Sequence, residues 1–132
     1  NVLPTLAIGG TGLIGVTANI APGSYRTIVD AVNANDLATA TAEHQRLEPL
    51  VRAVMTHVPG TVATKYVLHG LGRIGSPRVR LPLVGPEDHE AAIIEDELAL
   101  VTDVAGVDPR NFRPDRNAAA GGALPKVAGT TR

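Results

Sequence analysis

Near its amino terminus the chain carries four glycines within seven residues, inside the run LAIGGTGLIGVTAN that extends from Leu6 to Asn19. This run has two incompatible interpretations. Gly10, Gly12 and Gly15 match G-x-G-x-x-G, the fingerprint of a dinucleotide-binding βαβ unit, and Asp30 lies about where an acidic residue for a ribose is expected. The same residues could instead form a glycine turn that leads into a short buried strand.

The residues on either side of the glycines favour a strand after them. Pro4 lacks the backbone donor that a central strand needs, whereas Asn1 as N-cap with Pro4 in the first turn suits a short helix. Residues 13–20 are rich in β-branched side chains and apolar on both faces, and they stop too soon for a phosphate-binding helix. We predict a short helix before the glycines and a strand around residues 13–16, with the dinucleotide site as the less favoured alternative.

Bulk composition excludes several classes of function. The net charge is −1 with no block of one sign, so nothing points to nucleic acid or to an acidic membrane surface. No cysteine is present, which rules out disulfides and thiolate metal sites. The sequence shows neither an apolar stretch long enough for a bilayer nor a signal peptide, and we expect a cytoplasmic protein.

Two details of composition bear on the fold. Met55 is the only methionine, so Asn1 is not a translation start and we expect the chain to be cut or processed. The only aromatic residues are Tyr25, Tyr66 and Phe112, so the core must be built from Ala, Val, Leu and Ile. At 132 residues the chain is one modest domain at most, or part of a larger one.

Apolar periodicity predicts four further helices. Asp36 is the expected N-cap of the second, and Pro49 is expected to kink it. The predicted helices are residues 22–33, 37–55, 61–72 and 86–106, the last with the stripe Ile94, Leu98, Val101 and Ala105. Residues 107–132 lack periodicity and are predicted to be a flexible tail that adds little to stability. A single strand cannot satisfy its own backbone groups and therefore needs neighbours outside this chain.

No set of residues forms an evident catalytic centre. The histidines His44, His57, His69 and His89 have no metal-site spacing, so we predict no metal. Arg73, Arg78 and Arg80 could hold a phosphate or carboxylate, but solvated or subunit-contact arginines are favoured. Residues 95–97 are interpreted as an exposed helix face without chemistry. Of the two lysines, Lys126 lies in the tail and Lys65 is expected to extend to water from mid-helix rather than form a Schiff base.

Four motifs in order carry a family resemblance over about residues 1–104. The run from Leu6 to Asn19 resembles the last barrel strand and its lead-in in the family of 4-hydroxy-tetrahydrodipicolinate synthase and N-acetylneuraminate lyase, which are pyruvate-dependent class I aldolases. The other motifs are similar to the family's Q-R-L-x-P-L helix, K-[WY] helix and R-L-P-[LM] stretch, and here they read Gln45-Arg46-Leu47-Glu48-Pro49-Leu50, Thr64-Lys65-Tyr66 with Leu71-Gly72, and Arg80-Leu81-Pro82-Leu83.

The resemblance implies an α/β fold, the C-terminal part of a (β/α)8 TIM barrel followed by a helical extension. Residues 1–34 would be the end of the barrel (helix, last strand and last helix), 35–106 the helical extension and 107–132 the tail. The family's Schiff-base lysine and tyrosine relay have no counterpart here, so no catalytic residue and no cofactor are expected in this chain. Ile14 matches the branched apolar residue on strand eight that packs against bound pyruvate, in keeping with barrel sites toward strand C-terminal ends.

Three functions stay open at this point. The resemblance favours a synthase that condenses pyruvate with aspartate semialdehyde in lysine and diaminopimelate biosynthesis, as a homotetramer in the cytoplasm. The alternatives are a family aldolase that acts on a sugar-acid aldehyde and a non-catalytic helical interaction module. Pyruvate and an aldehyde are the expected small-molecule partners, and this chain alone is expected to be inactive.

Overall fold

The computed structural model describes residues 2–119, and within this range it contains α-helices and short 3₁₀ turns but no β-strand. The α-helices are α1 Val2–Ala7, α2 Pro22–Asn33, α3 Leu37–Arg46, α4 Glu48–Met55, α5 Gly60–Gly70, α6 Asp88–Ala99 and α7 Arg116–Ala119. The 3₁₀ turns are Thr17–Asn19 and Pro109–Asn111. None of the helices in the described range is both long and apolar enough to cross a bilayer.

Local signals at the helix starts explain why several predictions are confirmed. Pro22 begins α2, and the Asp36 carboxylate accepts a hydrogen bond from the Thr39 backbone N–H at 3.0 Å, as an N-cap of α3 does. α6 begins with a capping box in which the Glu87 N–H donates to the Glu90 carboxylate at 2.8 Å. The short helix predicted before the glycines is α1.

The predicted single helix 37–55 is two helices, α3 and α4, separated by Leu47. Pro49 has no N–H to donate, and its ring would collide with the carbonyl of Gln45 in a continuous helix. The Leu47 N–H is shared between the carbonyls of Glu43 and His44, both at 3.2 Å. The proline therefore breaks the helix rather than only bending it.

The last long helix ends at Ala99, seven residues before the predicted stop. The Val101 N–H closes a tighter turn onto Leu98 at 3.0 Å, and Asp103 has a left-handed φ of 55°, so the chain reverses. Val101 stays buried, but Val104 and not Ala105 is the next core residue. The apolar stripe was therefore predicted correctly as far as Val101 and wrongly at its end.

α4 lies at the centre of the molecule, packed against both α5 and α6, while α1, α2 and α3 form a neighbouring group. Four aliphatic side chains from different helices are fully buried in the core between them: Ile28, Leu50, Val67 and Ile94. Tyr25 and Tyr66 are the buried aromatic residues of the described range. Ala, Val, Leu and Ile supply most of this core, as the composition predicts.

The strand predicted around residues 13–16 is absent, and residues 10–15 have no regular structure. A strand exists only when another strand pairs with its backbone groups, and the described residues offer no such partner. The α/β class implied by the resemblance rested on this strand, which the described residues do not contain. The described part of the chain is helical.

Residues 107–116 are packed against the helices, which differs from the expectation of a flexible tail. Val107 is buried in the core, and the Phe112 ring meets the Tyr66 ring edge-on with their centroids 5.9 Å apart. We call residues 107–116 the docked segment. The rest of the predicted tail, from residue 120 and including Lys126, lies outside the described residues, and the division at residues 34 and 106 stays a prediction.

Candidate functional site

The upstream end of the glycine segment, residues 8–16, is tied to α1. Gly9 has a φ of +99°, a left-handed conformation that glycine adopts without a side-chain clash, and its N–H donates to the carbonyl of Leu6 at 3.0 Å. The Gly10 N–H donates to the carbonyl of Thr5 at 2.9 Å, and a β-carbon at Gly10 would lie 2.7 Å from that oxygen. The first glycines are therefore required by the turn that ends α1.

Ile14 lies on the surface, with its side chain as exposed as in an extended peptide (105% of the reference area). Ile8 is 87% exposed, and Leu13 and Val16 are partly exposed. Four apolar side chains within nine residues thus face solvent, which is unusual because such groups are ordinarily buried. The assignment of Ile14 to a pyruvate pocket stays a prediction.

The dinucleotide interpretation of Gly10, Gly12 and Gly15 is wrong for this structure. Its fingerprint needs a strand before the glycines and a helix N-terminus directly after them. Here helix α1 precedes them and a 3₁₀ turn follows at Thr17–Asn19. Asp30, the expected ribose ligand, instead accepts a hydrogen bond from Arg26 at 2.7 Å on the exposed face of α2.

The downstream end of the glycine segment is held by α2. The hydroxyls of Thr17 and Tyr25 hydrogen-bond to each other in a buried position, with Thr17 6% and Tyr25 7% exposed. Burial raises the pKa of the Tyr25 phenol, a change that the Thr17 hydroxyl partly offsets. The Val16 carbonyl also accepts from the Asn19 side-chain amide at 2.9 Å.

Two of the cationic candidates, Lys65 and Arg73, make contacts that hold the fold. Lys65 is half-buried and its Nζ donates to the backbone carbonyl of Arg78 at 2.7 Å, which ties α5 to the loop before α6. Arg73 donates to the carbonyl of Ile20 at 2.5 Å and also to that of Gly106, so its guanidinium binds backbone rather than a ligand. Arg78 and Arg80 are exposed.

The acidic run at residues 95–97 does more than face solvent, contrary to prediction. Glu97 accepts from Arg52 Nε at 3.1 and 3.0 Å, linking α6 to α4. Glu95 accepts from the Tyr66 hydroxyl at 2.5 Å and from two nitrogens of Arg116, Nε at 3.0 Å and Nη2 at 2.7 Å. Charge-assisted bidentate hydrogen bonds of this kind fix the relative orientation of the two side chains and also add stability.

The contacts in this cluster shift two pKa values in opposite directions. Hydrogen bonding from Arg116 lowers the pKa of Glu95, with burial opposing and the Tyr66 bond assisting. Burial raises the pKa of Tyr66, and the adjacent Glu95 carboxylate raises it further. The cluster is therefore an anionic carboxylate clamped between a neutral phenol and a guanidinium at ordinary pH.

Sequence reasoning missed this cluster because its members are distant along the chain. Phe112 lies directly over Gly70, where any β-carbon would overlap the ring, and the Arg113 N–H donates to the Gly70 carbonyl at 2.7 Å. Gly70 is the last residue of α5, directly before the C-cap Leu71. A glycine at a helical position, two residues before the left-handed Gly72, is the signal that could have indicated a close approach. Among the described residues no group of three or more His, Cys, Asp or Glu side chains could hold a metal.

Comparison with known proteins identifies the family. A family model described as the dihydrodipicolinate synthetase family matches residues 1–99. The chain belongs to this family. The matched range includes the glycine segment and helices α1 to α6, and it ends before the docked segment.

Curated relatives share a name but are much longer than this chain. The 4-hydroxy-tetrahydrodipicolinate synthase of Kineococcus radiotolerans is 41% identical over 107 residues, covering 81% of this chain and 33% of the relative. That of Cereibacter sphaeroides is 45% identical over 89 residues, covering 67% of this chain and 30% of the relative. The chain therefore spans about a third of the length of the curated relatives that it matches.

Solved structures give the same result. A monomeric variant of dihydrodipicolinate synthase superimposes with a TM-score of 0.68 at 25% identity, covering 75% of this chain and 32% of that protein. A crystal structure of dihydrodipicolinate synthase gives a TM-score of 0.66 at 33% identity, covering 74% and 33%. About three quarters of this chain therefore has the backbone arrangement of about one third of each of these structures.

Proposed function

We propose that this chain is the C-terminal part of a 4-hydroxy-tetrahydrodipicolinate synthase, supplying the last strand, the last helix and the helical extension of a TIM barrel. The match of residues 1–99 to the family model carries the proposal, and the relatives bearing the synthase name support it. The glycine segment is the piece that would become strand eight. Its upstream end is fixed by α1 and its downstream end by α2, which leaves residues 11–15 to pair with barrel strands.

The proposed reaction joins pyruvate, bound to a lysine as an imine, to aspartate semialdehyde. The imine acts as an electron sink, so that loss of a methyl proton gives an enamine that attacks the aldehyde carbon. The lysine and its proton relay would come from barrel segments outside this chain. Within this chain Ile14 would contribute an apolar contact that excludes water beside the pyruvate methyl group. A homotetramer in the cytoplasm belongs to the same proposal.

The test is reconstruction of a barrel. The chain would be fused behind the part of the Kineococcus radiotolerans relative that precedes the matched region, incubated with pyruvate and reduced with borohydride. We expect mass spectrometry to find a reduced pyruvate adduct on a lysine of the upstream part, and none on this chain expressed alone. If the fusion does not fold, a graft of residues 9–34 into the relative keeps the test decisive.

Each outcome discriminates between the functions. A folded fusion or graft that forms no adduct would contradict the synthase proposal and favour a helical interaction module. An adduct without condensation of aspartate semialdehyde, but with turnover of a sugar-acid aldehyde, would indicate the other branch of the family. An adduct on Lys65 of the chain alone would overturn the assignment.

A further inference from the structure

The free part of the glycine segment is short because both of its ends are anchored. On the upstream side the Gly10 N–H is bonded to the carbonyl of Thr5 at 2.9 Å. On the downstream side the Val16 carbonyl accepts the Asn19 N–H at 3.2 Å and the Asn19 side chain at 2.9 Å. Only residues 11–15 lie between these points, and Ile14 is two residues from the downstream one.

One packing contact and two backbone hydrogen bonds fix the direction in which the chain leaves this segment. Val16 lies over the start of α5, where a β-carbon at Gly60 would be 3.3 Å from Val16 Cγ1. The Thr17 carbonyl accepts the N–H groups of Ile20 at 2.9 Å and of Ala21 at 3.1 Å, and both of these residues are fully buried. The turn that follows the segment is therefore part of the core.

One side-chain hydrogen bond joins this turn to the helix behind it, the buried pair of hydroxyls of Thr17 and Tyr25. A buried hydroxyl without a partner is costly, so each hydroxyl holds the other in one place. Tyr25 is itself held on the core face of α2, one turn before the fully buried Ile28.

We propose that Thr17 and Tyr25 are positioning residues for the pyruvate site, because their hydrogen bond fixes the residue from which the Ile14-bearing segment emerges. The inference rests on the proposed function and adds residues that touch no substrate. A segment that is already oriented loses less conformational freedom when it pairs with the barrel and closes on a ligand. Loss of the bond should therefore weaken pyruvate binding while leaving the chemical step intact.

The experiment uses the fusion or the graft described above with Thr17→Val and Tyr25→Phe, which remove one hydroxyl each at nearly constant volume. We expect the KM for pyruvate to rise about threefold to tenfold, the size of one hydrogen bond, with kcat changed less than twofold. Thr17→Ser keeps a hydroxyl and should restore a KM near that of the unsubstituted protein. The double variant should lose no more than either single one, because both remove the same bond.

Two controls separate positioning from simple destabilisation. Ile28→Val on the same helix should lower the melting temperature without raising KM, and the exposed Arg26→Gln should change neither. In the 132-residue chain alone, hydrogen exchange should show faster amide exchange at residues 17–21 in Thr17→Val than in Thr17→Ser.

Failure of the positioning role and failure of the proposed function give different results in this experiment. A pyruvate imine with unchanged KM in both hydroxyl-deleted variants would overturn the positioning role alone. An equal rise in KM for Ile28→Val would also overturn it, since the effect would then follow stability. Absence of any imine in the unsubstituted fusion and graft would overturn both proposals.

Discussion

Glu95 contacts two elements of the molecule through one carboxylate, the Tyr66 hydroxyl of α5 and the Arg116 guanidinium at the end of the docked segment. Both contacts favour its charged form. A carboxyl with a lowered pKa adds stability that is complete above its ordinary pKa of 4.5 and is lost as the pH falls through its value in the folded state. The cluster should therefore contribute to the loss of stability in acid.

Replacement of Glu95 by Gln should flatten that acid dependence. We expect Glu95→Gln to melt at a lower temperature than the unsubstituted chain at neutral pH and to show a smaller further loss between about pH 5 and about pH 3. Melting curves followed by circular dichroism across this range measure both quantities. Asp96→Asn, at an exposed neighbouring position on α6, should keep the original profile. Parallel profiles for Glu95→Gln and the unsubstituted chain would contradict the prediction.

Ile14 is the residue whose role depends most on what surrounds it. Exposed in this chain, it should matter only in a completed barrel, where Ile14→Ala would trim a branched side chain from the pyruvate pocket. We expect a loss of about 1–3 kcal/mol in kcat/KM, carried by KM more than by kcat if the contact is equal in ground and transition states. Steady-state kinetics with pyruvate as the varied substrate would measure it, and unchanged kinetics would remove Ile14 from the site.

α5 and the docked segment fit together through one glycine and one aromatic ring, and a double-mutant cycle tests that fit. Gly70→Ala should destabilise the chain because the added methyl group overlaps the Phe112 ring. Phe112→Ala should cost about 1–3 kcal/mol, since the ring is half-buried against Tyr66. In the Phe112→Ala background Gly70→Ala should be neutral or stabilising by up to about 1 kcal/mol, because alanine is the better helix former. Urea denaturation of the four proteins measures the coupling, and strictly additive effects would refute the contact.

Helices could be predicted where the residues that cause them lie close together in the sequence. The absence of the strand and the contacts of Glu95 could not. Asp36 acts on a residue three positions away, so α3 begins where the sequence predicts, and α6 begins at Asp88, two residues after the predicted start at Pro86, with a capping box at Glu87. The strand at residues 13–16 depends on partners that the described residues do not supply, and periodicity cannot report whether partners are present. The Glu95 carboxylate binds Arg116 and Tyr66, which are 21 and 29 positions away in the sequence. Helix capping and hydrophobic periodicity relate only residues a few positions apart, so neither could have predicted these contacts.

For the molecule as a whole, the docked segment is expected to stabilise the helical core by packing across it. A chain that ends after Gly106 loses the buried Val107, the Phe112 ring and the Arg113 bond to α5. We expect it to be less stable by about 2–5 kcal/mol than a chain that ends after Ala119, which keeps all of these contacts. Thermal and urea denaturation of the two truncated chains give the difference. Equal stabilities would show that the segment is only loosely associated.

The four exposed apolar side chains of the glycine segment also affect how solutions of this chain behave. Attraction between such groups is mostly entropic near room temperature and strengthens on warming. A solution that is clear on ice should scatter light at temperatures below the melting transition and clear again on cooling. Sulfate, which strengthens apolar association, should lower the temperature at which turbidity begins. In the proposed fusion, where residues 11–15 would pair with barrel strands, the onset of turbidity should move to a higher temperature.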